Sequence, residues 1–279
     1  MAVRIITDGS CDIELSEQEA LGIDILPLRV SFGDEEYLEG VNLTRDEFYT
    51  KIRAASSLPK TTQISPADFE EKLAPYVAAG DEIVIVPISK ELSGTYHSAC
   101  IARESFDGAA IYVVDTCNVT FGLALFVRQA VALREQGASA RQIAEKLEEL
   151  RPKARLYALV SDLKYLRMGG RLSGAAAMAG SLLGIKPIIA IEDGKVINID
   201  KVRGQAAALE KVVEYAEQAG LKGDVPCIFG HSDAPDLVQT LCELATERLG
   251  LTDTRLSGIG PVVGTHAGPG CTGVAFFAD

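Results

Sequence analysis

Two stretches, "DEIVIVPIS" from Asp81 and "AAIYVVD" from Ala109, constrain this chain more than any other feature. Ile83–Val86 and Ile111–Val114 are apolar throughout. A strand with apolar side chains on both faces must be covered on both, which is the situation of a parallel sheet flanked by helices. The intervening segments read as helices with their own start signals. In "LTRDEFYTKIRAA", Thr44 stands three residues before Glu47, a capping box. In "SPADFEEKLAPYVAAG", Ser65 is the cap, Pro66 takes the first helical position and Asp68 follows three after the cap. "SARQIAEKLEEL" repeats the pattern from Ser139. Strands alternating with capped helices predict an α/β fold with right-handed crossovers.

"VRIITD" reads as the first strand and "IDILPLRVSF" as a second. The pattern changes near "RPKARLYALV". Beyond it come short strands ("KPIIAIEDGKVINID"), helices over about 204–219 and 234–249, the strand "VPCIFGH", and closing strands "TRLSGIG", "PVVGTH" and "GCTGVAFFA". We therefore expect two domains: an N-terminal parallel sheet with flanking helices over 1–155, and a C-terminal mixed α/β domain over 156–279. The segment Leu172–Ile185, "LSGAAAMAGSLLGI", carries no charge and is rich in small residues, which allows close helix packing or a narrow apolar channel.

Composition excludes several classes. With 39 acidic against 27 basic residues, the formal net charge is −12, which argues against a broad nucleic-acid footprint. The six cysteines are scattered, with no C-x-x-C pair, so reduced thiols are expected rather than a disulfide framework. "MAVRIITDGS" turns polar too early for a secretory leader, and no run of 18 uncharged apolar residues exists, so a cytoplasmic protein is expected. There is no P-loop, no G-x-G-x-x-G after the first strand and no H-E-x-x-H, and three dispersed histidines lack metal-ligand spacing. No metal or cofactor is expected.

What remains is a set of hydroxyls, glycines and one histidine on loops. In open α/β sheets, ligands bind beyond the carboxyl ends of strands. Ser93, Gly94 and Thr95 follow the "IVIVP" strand at a helix start, where unpaired N–H groups favour an anionic head. The plainer alternative is that Ser93 merely caps its helix. Thr61 and Thr62 lie in "LPKTTQISP", which also reads as ordinary turn chemistry. His266 lies in "GTHAGPG", flanked by Gly264 and Thr265, where it would donate to an oxyanion or simply be satisfied in a turn. Arg167 and Arg171 flank two glycines in "YLRMGGRLSG", and Arg203 is a further basic candidate. Asp8 and Asp12 in "TDGSCD", near the end of the first strand, are minor candidates for an acid nucleophile or Mg²⁺ site. His231, Ser232 and Asp233 are adjacent in sequence and cannot supply triad geometry.

The blocks "IITDGSCDI", "PKTTQISP", "ISKELSGTYHSA", "VVDT", "YLRMGGRLSG" and "IGPVVGTHAGPGCTGV" occur in order along the whole chain. Together they resemble the DegV family of bacterial fatty-acid-binding proteins. The resemblance implies a two-domain α/β fold with one buried long-chain fatty acid, its carboxylate near the domain junction and its chain inside the C-terminal domain. It implies a carrier rather than an enzyme, with no catalytic residues. A separate ATP-dependent kinase would phosphorylate the bound acid, and the carrier would hold the acyl-phosphate for phospholipid synthesis.

Carried onto this sequence, the head-group set is Thr61 or Thr62, Ser93 and His266, with Gly94, Thr95, Gly264 and Thr265 on the same loops. A protonated His266 would help to neutralise the carboxylate. Arg171 and Arg203 map to the exit and kinase-docking face. Met168 stands where the family often has a basic residue, Gly9 where serine is common and Ile64 where proline is common. A monomer with transient membrane-surface contact is the expected state. The competing reading is a stand-alone phosphoryl- or acyl-transfer enzyme using Asp8 or His266, and a third is a regulatory module binding another small anion.

Overall fold

The computed structural model describes residues 2–173 and 184–278. The chain opens with β1 (Val3–Asp8), a short 3-10 turn at Gly9–Cys11, α1 (Leu15–Leu21) and β2 (Ile23–Leu26). Next come β3 (Arg29–Phe32), β4 (Glu35–Leu38), α2 (Arg45–Ala54), β5 (Lys60–Thr62) and α3 (Pro66–Ala78). They are followed by β6 (Glu82–Val86), α4 (Thr95–Glu104), β7 (Ile111–Val113), α5 (Thr120–Glu135) and α6 (Ala140–Leu150). The rest of the chain supplies β8 (Ala154–Leu159), α7 (Lys164–Met168), β9 (Leu172–Ser173), β10 (Ile185–Glu192), β11 (Lys195–Arg203) and α8 (Gln205–Gln218). It ends with β12 (Cys227–Ser232), α9 (Pro235–Leu249), β13 (Thr254–Gly258), α10 (Pro261–Ala267) and β14 (Cys271–Phe277).

The apolar strands form the expected parallel sheet, in the order β2-β1-β6-β7. Ile83–Val86 are fully buried in its centre. All three capping boxes are present, on Thr44, Ser65 and Ser139. A second sheet has the order β13-β12-β14-β8-β10-β11-β9 and is mixed: β12/β13 and β11/β9 are parallel, the other pairs antiparallel. The helix α5 packs on β1 and β6 of the first sheet and on β8, β12 and β14 of the second. Its residues Thr120–Val127 are all buried, so "TFGLALFV" serves as a wedge shared by both sheets.

Two sequence expectations are corrected. "IDILPLRVSF" is not one strand. It breaks at Pro27–Leu28, so that β2 stays in the parallel sheet while β3 joins a small antiparallel sheet of order β4-β3-β5. Proline lacks the N–H that a continuing ladder needs. "PVVGTH" is not a strand but the helix α10. Pro261 takes the first turn, where its missing N–H is no loss. The N–H of Gly260 donates to Asp12 Oδ1 at 2.8 Å and that of Val262 to Glu39 Oε1 at 2.9 Å. Gly264 allows the helix to lie against α2, since a Cβ there would fall 2.7 Å from both Phe48 Cε1 and Tyr49 Oη.

Candidate functional site

Placement of α10 decides the site. The helix packs against α2, α7, β3 and β5. It brings His266, from its last turn, beside Thr61 on β5: His266 Nε2 and Thr61 Oγ1 are 3.0 Å apart. The other ring nitrogen, Nδ1, is buried and finds no hydrogen-bond partner among the described residues. It faces Gly169, where any side chain would collide with it.

Thr61 and His266 border a cavity of about 160 Å³ together with Thr62, Gln63, Ser93, Gly94 and Arg171. The remaining lining is almost wholly apolar and includes Ile88, Val119, Phe121, Leu156, Ala158 and Ile189. Polar groups thus meet a hydrocarbon chamber, the arrangement of an amphipathic-ligand pocket. Its walls come from β5, the loop after β6, the start of α5, α10 and strands β8, β10, β11 and β14 of the second sheet.

Each polar group is held from behind. Ser93 Oγ lies 3.0 Å from Thr95 Oγ1 and accepts the Thr95 N–H at 3.3 Å, so Ser93 does support the first turn of α4. It does so while also lining the cavity. Gln63 donates to Ser98 Oγ at 3.0 Å across the backbone of Gly94, where a side chain would strike the Gln63 amide. Arg171 donates to the carbonyls of Leu92 (3.1 Å) and Gly169 (2.6 Å), which fixes its guanidinium at the cavity edge.

His266 differs from the sequence expectation of a protonated imidazole. Burial, assisted by the positive charge of Arg171, pushes its pKa down to about 4. The ring is therefore neutral at pH 7 in this structure. Arg171, expected at an exit or docking face, is part of the cavity lining, and its positive charge acts on His266.

Other candidates fall elsewhere. Thr95 and Thr265 are buried and do not line the cavity; Thr265 Oγ1 donates to Pro261 O within α10. Gly264 faces Phe48 and Tyr49 instead. Arg203 is exposed at the end of β11, paired in register with Ile185, and does not reach the cavity. The uncharged stretch expected to shape a channel lies, over 174–183, outside the described residues. His231 Nδ1 accepts the Ala234 N–H at 3.1 Å, the ordinary satisfied histidine.

Asp8, the residue on which the enzyme reading leaned, is fully buried. Its Oδ1 accepts from the Ser10 N–H and hydroxyl and its Oδ2 from the Ile88 N–H, clipping β1 to the loop after β6. It does not line the cavity. Among the described residues there is no cluster able to hold a metal, no helix long and apolar enough to cross a membrane, and all six cysteines are free.

The amide of Gln63, which "LPKTTQISP" offers beside the two threonines as a candidate anion ligand, does line the cavity. Sequence reasoning missed Glu39 and the anchoring role of Asp12, since their partners on α10 lie more than two hundred residues away.

The profile described as "uncharacterised protein, DegV family" matches residues 2–279. The chain belongs to the DegV family. A DegV domain-containing protein of Deinococcus radiodurans is 37% identical over 99% of this chain and 98% of its own length. Among solved structures, a fatty-acid-binding DegV family protein from Thermus thermophilus superposes with a TM-score of 0.92 at 30% identity, covering 100% of both chains. A DegV lipid-binding protein from Thermotoga maritima superposes with a TM-score of 0.90 at 32% identity, covering 100% of this chain and 99% of that one. The two-sheet α/β architecture of this DegV chain is therefore the family fold.

Proposed function

We propose that this protein binds one long-chain fatty acid in the cavity beside His266. The observation that carries this reading is the abrupt division of the lining: Thr61, Thr62, Ser93, His266 and Arg171 at one edge, hydrocarbon over the rest. Fatty-acid binding by the Thermus relative supports it. Burying an unpaired carboxylate is very costly, and hydroxyls, the Arg171 guanidinium and an imidazole offset that cost. The tail contributes about 0.8 kcal/mol per buried CH₂, so it dominates affinity while the head group sets orientation.

In this reading the chain is a carrier. It presents the carboxylate to an ATP-dependent fatty-acid kinase and holds the acyl-phosphate product for use in phospholipid synthesis, with residues 1–155 supplying head-group loops and 156–279 most of the tail enclosure. Arg203, exposed and remote from the cavity, fits a role in docking that kinase. Asp8 has both oxygens engaged in backbone and hydroxyl contacts, which leaves it unsuited to nucleophilic chemistry.

Mass spectrometry of the purified protein, native and then denatured with organic extraction, tests the binding. The expected result is an excess mass that resolves into one or a few fatty acids. A protein that carries no lipid and acquires none from a mixture overturns the reading. Phosphorylation of the bound acid on adding a fatty-acid kinase and ATP, lost in Arg203→Ala while lipid content is kept, tests the partner.

A further inference from the structure

The cavity has a thin end. Its floor is built by β8 and β10, paired Ile188 to Leu159, Ile189 to Ala158 and Ala190 to Tyr157. The α10 side of this floor is fixed by Ser161, just beyond β8, which donates to Pro269 O at 2.7 Å. Moving away from α10 along β8, Leu156 lies two residues past Ala158, about 7 Å further. Ile191 lies correspondingly past Ile189 on β10. The ladder between the strands stops at Ala190 and Tyr157, so Leu156 and Ile191 face each other where no backbone pairing closes the gap.

Behind them is a second cleft, of about 570 Å³, whose walls include Asn118, Arg151, Arg155 and Glu192. Among the described residues, Leu156 and Ile191 are the two that border both spaces. Asn118 is 4% exposed, and its Oδ1 has no hydrogen-bond partner among the described residues. A side-chain wall therefore separates a hydrocarbon chamber from a polar cleft, and the unsatisfied acceptor lies at the wall itself, against Gly122 beside Leu156 Cδ1. A methyl-terminated chain gains nothing by passing such a wall, whereas a terminal hydroxyl gains an acceptor.

We propose that Leu156 and Ile191 determine the length of acyl chain this protein accepts, and that Asn118 receives a hydroxyl at the far end of a chain that passes them. This rests on the fatty-acid reading above. Lowering the wall admits longer chains, and raising it excludes chains that the wild type takes.

The test offers the full chain a mixture of saturated acids from dodecanoic to docosanoic and weighs the bound species by native mass spectrometry. Leu156→Ala and Ile191→Ala are expected to shift the preferred length upward, with roughly tenfold enrichment of a chain two methylenes longer. Leu156→Phe is expected to shift it downward. Val238→Ala, in the core beneath α9 and bordering neither space, is expected to leave the preferred length unchanged. In Leu156→Ala, ω-hydroxyhexadecanoic acid is expected to outcompete hexadecanoic acid, and Asn118→Leu in that background is expected to abolish the preference. An unchanged length profile in variants that still carry lipid overturns the wall, as does an equal shift in Val238→Ala. A hydroxy-acid preference that survives Asn118→Leu overturns the role of Asn118. If the wild type itself binds none of these acids, the fatty-acid reading falls, and this proposal with it. Should Leu156→Ala fail to fold, Ile191→Ala and Leu156→Phe carry the length test.

Discussion

The two ends of α10 treat buried titratable groups in opposite ways. At its start, Asp12 and Glu39 accept the N–H groups of Gly260 and Val262, and the Thr120 hydroxyl also donates to Asp12. Burial raises both carboxyls, repulsion from Asp12 adds to this at Glu39 and repulsion from Asp8 at Asp12, with Asp12 pushed up to about 6 and Glu39 to about 8. Glu39 keeps one oxygen without a partner among the described residues and neutralises itself by holding a proton at pH 7. At the other end, His266 neutralises itself by giving its proton up, because burial and Arg171 disfavour the imidazolium. The first end turns its polar atoms inward and fixes the helix. The second sets His266 at the edge of the cavity, with Nε2 at Thr61 and Nδ1 against Gly169. Burial alone does not mark function here. What distinguishes the two ends is the space each borders: the cleft beside Asp12 and Glu39 is also lined by Glu14, Arg45 and Asp46, whereas the cavity beside His266 is almost wholly apolar beyond its polar edge.

The comparison is broken most severely at the anchor. Asp12→Ala strands the Gly260 N–H and the Thr120 hydroxyl, and is expected to cost about 2–4 kcal/mol in denaturant unfolding. If stability falls by much less, Asp12 is not the anchor. Asp12 also sits at φ 56°, a left-handed conformation that asparagine tolerates, so Asp12→Asn is expected to be milder.

At the cavity end the effect is expected in binding rather than in folding. His266→Ala is expected to weaken fatty-acid affinity by about tenfold or more, the worth of a charge-assisted hydrogen bond, and to change stability by less than about 1 kcal/mol. Titration of a delipidated sample by calorimetry checks this, and unchanged affinity removes His266 from the head-group set.

The smallest effects are in pH. Glu39 has a folded pKa near 8, raised from 4.5, so its stabilising contribution is full below about 4.5 and is lost as pH rises towards 8. Glu39→Gln is expected to flatten the fall in melting temperature over that window. His266 runs the other way: its folded pKa, near 4, lies below the unfolded 6.5, so the unfolded chain binds the proton first and stability falls as pH drops from 6.5 towards 4. His266→Gln is expected to remove that part of the acid sensitivity. Parallel slopes in wild type and either variant count against the assignment concerned.

Local features of this protein were legible because their causes are local. Thr44, Ser65 and Ser139 cap their helices with partners three residues away, and Ile83–Val86 announce a doubly covered strand by their own side chains. The hydroxyls at Thr61, Thr62 and Ser93 stood out because they follow strands or begin helices. "PVVGTH" read as a strand because of its adjacent valines, whose preference is overridden by two distant carboxylates. Thr95, Gly264 and Thr265 share motifs with true cavity residues but turn the other way, since successive helical positions point in different directions.

The sequence by itself determined the α/β class, the capped helix starts at Thr44, Ser65 and Ser139, and the family to which the chain belongs, since each rests on short residue patterns or on their order along the chain. Tertiary structure alone decided that His266 meets Thr61, that Arg171 faces the cavity, and that Leu156 and Ile191 stand between two spaces. Those relations join residues tens to hundreds of positions apart, and their proximity is set by how α5 and α10 pack between the sheets, a matter of three-dimensional shape that no short stretch of sequence encodes.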